Sequence, residues 1–119
     1  MVGERAALAH LQGAGLRFLM ANFRTRRGEI DLVFREGDCL VFVEVKTRSS
    51  EEWTRPAAAV NLAKQRKLSR AALDYLRALD HPQVPFRFDI IEVLLDGEEV
   101  RDLRHIPNAF GLASPYRYG

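Results

Sequence analysis

Two short runs hold side chains whose types and spacing could do hydrolytic chemistry, Glu29-Ile30-Asp31-Leu32 and Phe42-Val43-Glu44-Val45-Lys46. They flank Gly37-Asp38, a two-residue hairpin signal in which a leading glycine suits a type II′ turn. With the turn centred there, opposed residues have numbers summing to 75, so Asp31 faces Glu44 and Glu29 faces Lys46. The two-residue period of a strand puts all four on one side of the sheet. The other side sets Ile30, Leu32 and Phe34 against Val45, Val43 and Val41. One apolar core face and one face of concentrated charge are therefore expected.

Directly opposed carboxylates stand about 5 Å apart at Cβ and repel each other. A hard divalent cation would relieve that repulsion, because Mg²⁺ takes carboxylate oxygens and keeps several waters for substrate or nucleophile. Lys46 follows Glu44 by two residues, about 7 Å along the same face. From there its ammonium can meet an attacking water or a developing phosphorane charge. The competing reading is a set of cross-strand ion pairs, Glu29 with Lys46 and Asp31 with Arg48 diagonally. Such pairs are common on surfaces and worth little.

The elements that must position these groups follow from periodicity. Residues 3–14 read as a short helix stopped by Gly15, and residues 16–24 as a strand ending in Thr25-Arg26-Arg27-Gly28. Strands at 29–36 and 39–47 form the hairpin. Pro56 suits a first helical residue, with apolar positions recurring from Val60 to Leu79 until Pro82 and Pro85 close the helix. Strands at 86–95 and 98–106 follow, turning at Asp96-Gly97, and residues 107–119 read as an irregular tail. The order α-β-β-β-α-β-β indicates an α/β fold with a mixed sheet flanked by helices. At 119 residues one domain with a single core is expected.

Composition narrows the classes. The chain is 47% apolar and 29% charged, as in an ordinary globule, and its single cysteine excludes an internal disulfide framework and a Cys-rich zinc site. No apolar run approaches a membrane span and no signal-peptide core is visible, so a cytoplasmic address is expected. His10, His81 and His105 show no ligand spacing. The net charge of +2 hides an uneven distribution. Residues 55–77 hold six basic side chains and one acid, whereas 89–102 hold six acids and one arginine. Fifteen of the 18 basic residues are arginine, which forks onto phosphate or carboxylate. A basic element in a nearly neutral chain suggests an anionic partner such as nucleic acid, against the plainer reading of a solvated helix face.

The Glu-Ile-Asp and Glu-Val-Lys runs resemble the PD-(D/E)xK nuclease superfamily. The chain as a whole is similar to the small YraN-like family of bacterial proteins over roughly residues 3–110. The resemblance is carried by Gly3-Glu4 with Ala7, Asn22-Phe23-Arg24, Gly28-Glu29-Ile30-Asp31 and Phe42-Val43-Glu44-Val45-Lys46-Thr47-Arg48. Ala59-Val60 with Lys64, Arg87-Phe88-Asp89 and Ile106-Pro107-Asn108-Ala109-Phe110 complete it. Ile30 stands where the superfamily's nominal proline would be, and Thr54-Arg55 stand where a glycine is usual before the helix proline. The family resembles archaeal Holliday-junction resolvases, which implies a restriction-endonuclease-like three-layer core. It also implies Asp31 and Glu44 as ligands of Mg²⁺ or Mn²⁺, Lys46 as the catalytic lysine and Glu4 as an extra carboxylate from the first helix. Read without the resemblance, Glu4 is equally an acid favoured in a first helical turn by the dipole.

On a helical wheel Val60, Leu68, Ala71, Tyr75 and Leu79 form an apolar stripe with Lys64 in its middle, either snorkelling or reaching an anion. The resemblance places Lys64 near the scissile phosphate. Arg66, Arg70 and Arg77 fall on the opposite side as a solvated face, with Lys67 at its edge. Lys64, Lys67, Arg24, Arg26 and Arg48 are the expected contacts to nucleic acid. Trp53 either stacks on bases or packs on its own domain; Tyr116 and Tyr118 pack across a dimer or remain disordered. The expected function is metal-dependent hydrolysis of DNA, branched or structured, with a homodimer as a further expectation. A catalytically idle nucleic-acid-binding module and a protein-interaction subunit using the acidic 89–102 segment are the rivals.

Overall fold

The computed structural model describes residues 2–54 and 60–118. The elements are α1 (Val2–Gly13), β1 (Arg17–Arg24), β2 (Glu29–Glu36), β3 (Cys39–Arg48), α2 (Ser50–Trp53), α3 (Leu62–Ala78), β4 (Phe86–Asp96) and β5 (Glu99–Phe110). One five-stranded sheet runs in chain order. Strands β1, β2 and β3 are an antiparallel meander, β3 and β4 are parallel across the α3 crossover, and β5 returns antiparallel. The mixed α/β sheet with its flanking helices is as expected. Among the described residues no helix is long and apolar enough to cross a membrane.

The hairpin forms in the anticipated register. Leu32 pairs with Val43 and Glu36 with Cys39, around a turn in which Gly37 has φ 59°. The expectation of a single core face needs correction. Leu32, Phe34, Val41 and Val43 pack with Ala7 and Leu11 of α1, while Val33, Leu40 and Phe42 pack with Leu68, Ala72 and Leu76 of α3. Both faces are buried because β3 is a central strand covered by a helix on each side, which yields three layers. A run such as Leu40-Val41-Phe42-Val43, apolar on both parities, is the mark of such a strand.

The helices also differ in detail. Ser49 caps α2 in a reciprocal box with Glu52, and Asn61 caps α3 by accepting the Lys64 N–H at 2.9 Å. The expected helical Pro56 lies outside the described residues. Leu79 does not belong to the buried stripe: it is the C-cap and 48% exposed, while Ala72 and Leu76 take the inner positions. Nor is the far side of α3 simply solvated. Arg66 donates to the Ser114 carbonyl, Arg70 to the Tyr116 hydroxyl, and buried Ser69 accepts from the Ala113 N–H. Residues 111–118 thus lie along α3, and Tyr118 packs against the larger core with its hydroxyl on the Pro82 carbonyl. Strand β5 continues through Phe110 rather than ending at Ile106, because Phe110 stacks on Phe88 with ring centres 4.8 Å apart.

Candidate active site

The ladder between β2 and β3 ends at the Leu32–Val43 pair. One residue further on, Asp31 leaves the strand pattern: its Oδ2 accepts the Val45 N–H at 2.8 Å. A side chain has replaced a main-chain acceptor there. Alternation breaks at the same point, since Ile30 packs with Val33 and Phe42 instead of with Leu32. The expectation that Ile30 and Leu32 share a face is therefore overturned by this local departure from ladder bonding.

The departure sets the Asp31 carboxylate beside Glu44. Glu44 is 8% exposed, and its carboxyl is pushed up to about 7, first by burial and then by the charge and hydrogen bond of Asp31. Lys64, reaching from the first turn of α3, acts in the other direction with its Nζ 3.2 Å from Glu44 Oε2. Lys64 therefore neither snorkels away nor sits idle in the apolar stripe; it is the only cation that pairs with this carboxylate among the described residues. Asp31 makes no ion pair among the described residues. The cross-strand pairs of the competing reading are not formed: Glu29 binds Arg24 at 3.1 Å, and Arg48 binds Glu92 at 2.9 Å and Glu52 at 3.6 Å.

Lys46 follows Glu44 on β3, half-buried, in parallel register with Glu92 of β4 and without an ion pair among the described residues. Glu4, in the first turn of α1, has its carboxyl raised by burial and next by the negative charge of Asp31. It is thus within electrostatic reach of Asp31. Among the described residues, however, no three acidic, histidine or cysteine side chains converge closely enough to hold a metal ion. The donor set is two hard carboxylates, which suits Mg²⁺ or Mn²⁺ retaining water, since Mg²⁺ binds through one or two carboxylates. Burial and the neighbouring Asp31 charge raise the Glu44 carboxyl, while the Lys64 ammonium partly offsets them.

A cleft of about 480 Å³ opens between the 25–28 turn and the first turns of α3. Asp31 and Glu44 do not line it, and Lys64, which pairs with Glu44, is the wall residue that connects it to them. Arg24, Arg26, Lys64 and Lys67 all line it, so four of the five expected nucleic-acid contacts converge. Arg48 does not join them, being held by Glu92 and Glu52. Gly28 makes the cleft floor possible, because a Cβ there would lie 2.5 Å from the Lys67 carbonyl oxygen. Arg27 is a lining residue that the sequence reading missed, although its neighbour Arg26 was singled out. Glu92 was missed too; an acid inside Ile90-Ile91-Glu92-Val93 was the available signal, since a charge in an apolar strand must find a partner. Trp53 packs on its own domain, with the Arg104 guanidinium 3.8 Å from the ring centre.

The model of the uncharacterised protein family UPF0102 matches residues 3–93. The chain belongs to that family. A UPF0102 protein of Geobacter metallireducens is 44% identical over 111 residues, covering 93% of this chain and 90% of the relative. Another, of Nitrosomonas europaea, is 46% identical over 107 residues, covering 90% and 88%. In this UPF0102 chain the matched span takes in Glu4, Asp31, Glu44, Lys46 and the basic residues of the cleft.

The raised Glu44 carboxyl makes a prediction for the metal-free UPF0102 chain. Its folded pKa of about 7 exceeds the ordinary 4.5, so the folded state binds more protons than the unfolded state between those values. The stabilising contribution is complete below about pH 4.5 and is lost as pH rises through about 7. Urea unfolding at a series of pH values should show stability falling across that window. Glu44→Gln should flatten the slope.

Proposed function

We propose that this chain is a divalent-cation-dependent endonuclease acting on DNA, with branched or structured DNA as the substrate class. One observation carries the reading: the Asp31 and Glu44 carboxylates lie together at the point where β2 and β3 part, and Lys64, paired with Glu44, also lines a cleft of basic side chains. An acid pair without a covalent nucleophile suits activation of water. Arginine and lysine along a cleft suit a polyphosphate backbone.

In this reading Asp31 and Glu44 would hold the cation, with Glu4 as the further carboxylate that would act on it directly or through water. When bound, the cation supplies a water of lowered pKa and offsets charge on the leaving oxygen. The Val45 N–H fixes the Asp31 carboxylate in place. Lys46 directs its ammonium to the attacking water or to the charge that develops on the phosphoryl oxygens. Lys64 leaves Glu44 for the scissile phosphate, and Lys67, Arg24 and Arg26 hold the neighbouring backbone. Contacts of this kind position a nucleic acid without reading its sequence, in keeping with a substrate defined by shape.

The experiment is cleavage of duplex, single-stranded, flap and four-way-junction DNA, and of RNA, with Mg²⁺ or Mn²⁺. Lys46→Ala should lower the rate by about 100-fold, the order seen when one charge-stabilising donor is removed. The Glu44–Lys64 pair favours a second reading, because it partly neutralises the site without any cation. In that reading the chain is a nucleic-acid-binding module without catalysis. Salt-dependent binding with no cleavage of any substrate would select it.

A further inference from the structure

A second basic cleft lies further along α3. It occupies about 450 Å³ between the C-terminal end of that helix, the 25–28 turn and the C-terminal segment, and Arg27, Asp74, Arg77, His81, Arg117 and Tyr118 line it. Arg27 lines the first cleft as well, so the two adjoin across a single side chain.

The second cleft is organised around one buried carboxylate. The Asp74 side chain is 5% exposed, and it accepts from Arg27 Nη2 at 2.8 Å and Arg77 Nη2 at 3.2 Å. Two guanidiniums share one negative charge, which leaves a net positive charge whose geometry is fixed from behind. Both arginines still face solvent, at 46% and 68% exposure. Arg117 has no ion pair among the described residues and adds an uncompensated charge to the same walls. The His81 ring stacks on Tyr118 with centres 6.4 Å apart and gives the cleft a flat side. Arginines anchored in this way lose little freedom when an anion arrives, which is the physical content of preorganisation.

We propose that the DNA held at the carboxylates continues past Arg27 into this second cleft, where Arg77 and Arg117 bind backbone phosphates. The inference rests on the DNA reading above and extends it to a footprint. From Lys64 to Arg77 is thirteen residues of helix, or about 20 Å at 1.5 Å each. At 3.4 Å per nucleotide along one strand, that distance is about six nucleotides. The two clefts together therefore hold a stretch of duplex to one side of the cleavage point, through phosphates alone.

The test is binding of a 30-base-pair duplex by the full chain in chelator, followed against salt concentration. Each lost phosphate contact lowers the slope of log affinity against log salt by about one. Arg117→Gln should lower it by about one and Arg77→Gln with Arg117→Gln by about two, while Arg101→Gln, on the far edge strand, should leave it unchanged. Arg77→Gln leaves Arg27 on Asp74, and thermal unfolding of each variant checks that it is folded. If Lys67→Gln lowers the slope but the Arg77 and Arg117 variants do not, the second cleft is off the path and this inference falls while the DNA reading stands. An equal loss in Arg101→Gln would also overturn it, as an effect of net charge. Wild type that binds no DNA at low salt would overturn both.

Discussion

On the proposed reading, Asp31→Asn is expected to remove DNA cleavage almost entirely while leaving the metal-free protein at least as stable as wild type, because it relieves the like-charge contact with buried Glu44. The amide oxygen of asparagine can still accept the Val45 N–H that Asp31 Oδ2 accepts at 2.8 Å, so the local backbone keeps its partner. What disappears is the negative charge beside Glu44, and with it part of the pressure that lifts the Glu44 carboxyl to about 7. Asp31→Ala differs. It orphans the Val45 N–H and should cost about 1–3 kcal/mol. Activity should fall by at least about 1,000-fold in both variants, and Asp31→Asn with Glu44→Gln should be no worse, because members of one catalytic unit are strongly non-additive.

Urea unfolding with and without Mn²⁺ separates this from a purely structural acid pair. Wild type should gain about 2.7 kcal/mol at a cation concentration 100 times the dissociation constant, and Asp31→Asn should gain nothing. A clearly destabilised Asp31→Asn protein, together with wild type indifferent to the ion, would refute the metal-site reading even if no substrate had been found.

The site was legible where local rules decide geometry. A two-residue turn at Gly37-Asp38 leaves one antiparallel register, observed from Glu36–Cys39 to Leu32–Val43, and extending it by one pair points Asp31 toward Glu44 before any tertiary contact is considered. Lys64 was legible in part: a cation within an apolar helical stripe either snorkels or reaches an anion, but the stripe does not say which anion, and in the fold it is Glu44. The break at Asp31 was not legible. It depends on a side-chain carboxylate winning the Val45 N–H from the opposing strand, which neither alternation nor turn chemistry encodes. The roles of Arg66 and Arg70 were hidden in the same way. A helical wheel shows that they face away from the sheet, but the segment from residue 111 to 118 that they hold comes from forty or more residues later. Trp53 was assignable only once Arg104 of β5 lay over its ring.

The Arg87-Phe88-Asp89 and Ile106-Pro107-Asn108-Ala109-Phe110 runs explain each other only in three dimensions, and they set the largest stability effect. Between the pairs Ile90–Ile106 and Phe88–Phe110, β5 carries two more residues than β4, so the ladder bulges at residues 107–109. Pro107 has no N–H to leave unpaired there, and Asn108 adopts φ 50°, a conformation asparagine tolerates better than most residues. Asp89, 1% exposed, stands opposite the bulge and accepts the Asn108 N–H at 2.9 Å. The same carboxylate lies 2.7 Å from His105 Nε2 and 3.0 Å from Arg87 Nε. Asp89→Ala would take the carboxylate partner from Arg87, His105 and Asn108 at once and leave Glu36, at 2.8 Å on the rim, as the remaining ion-pair partner of Arg87 among the described residues. Removing one partner of a buried ion pair costs about 3–5 kcal/mol, so Asp89→Ala should unfold at markedly lower urea than any substitution at the carboxylate site. Asp89→Asn should cost less, because its oxygen can still take the Asn108 N–H, whereas Glu36→Gln should cost under about 1 kcal/mol as an exposed pair. Hydrogen exchange at the Asn108 amide is the local readout: fast in Asp89→Ala, protected in wild type. An Asp89→Ala protein that keeps wild-type stability and amide protection would mean that β5 holds its bulge through the Phe88–Phe110 stack alone.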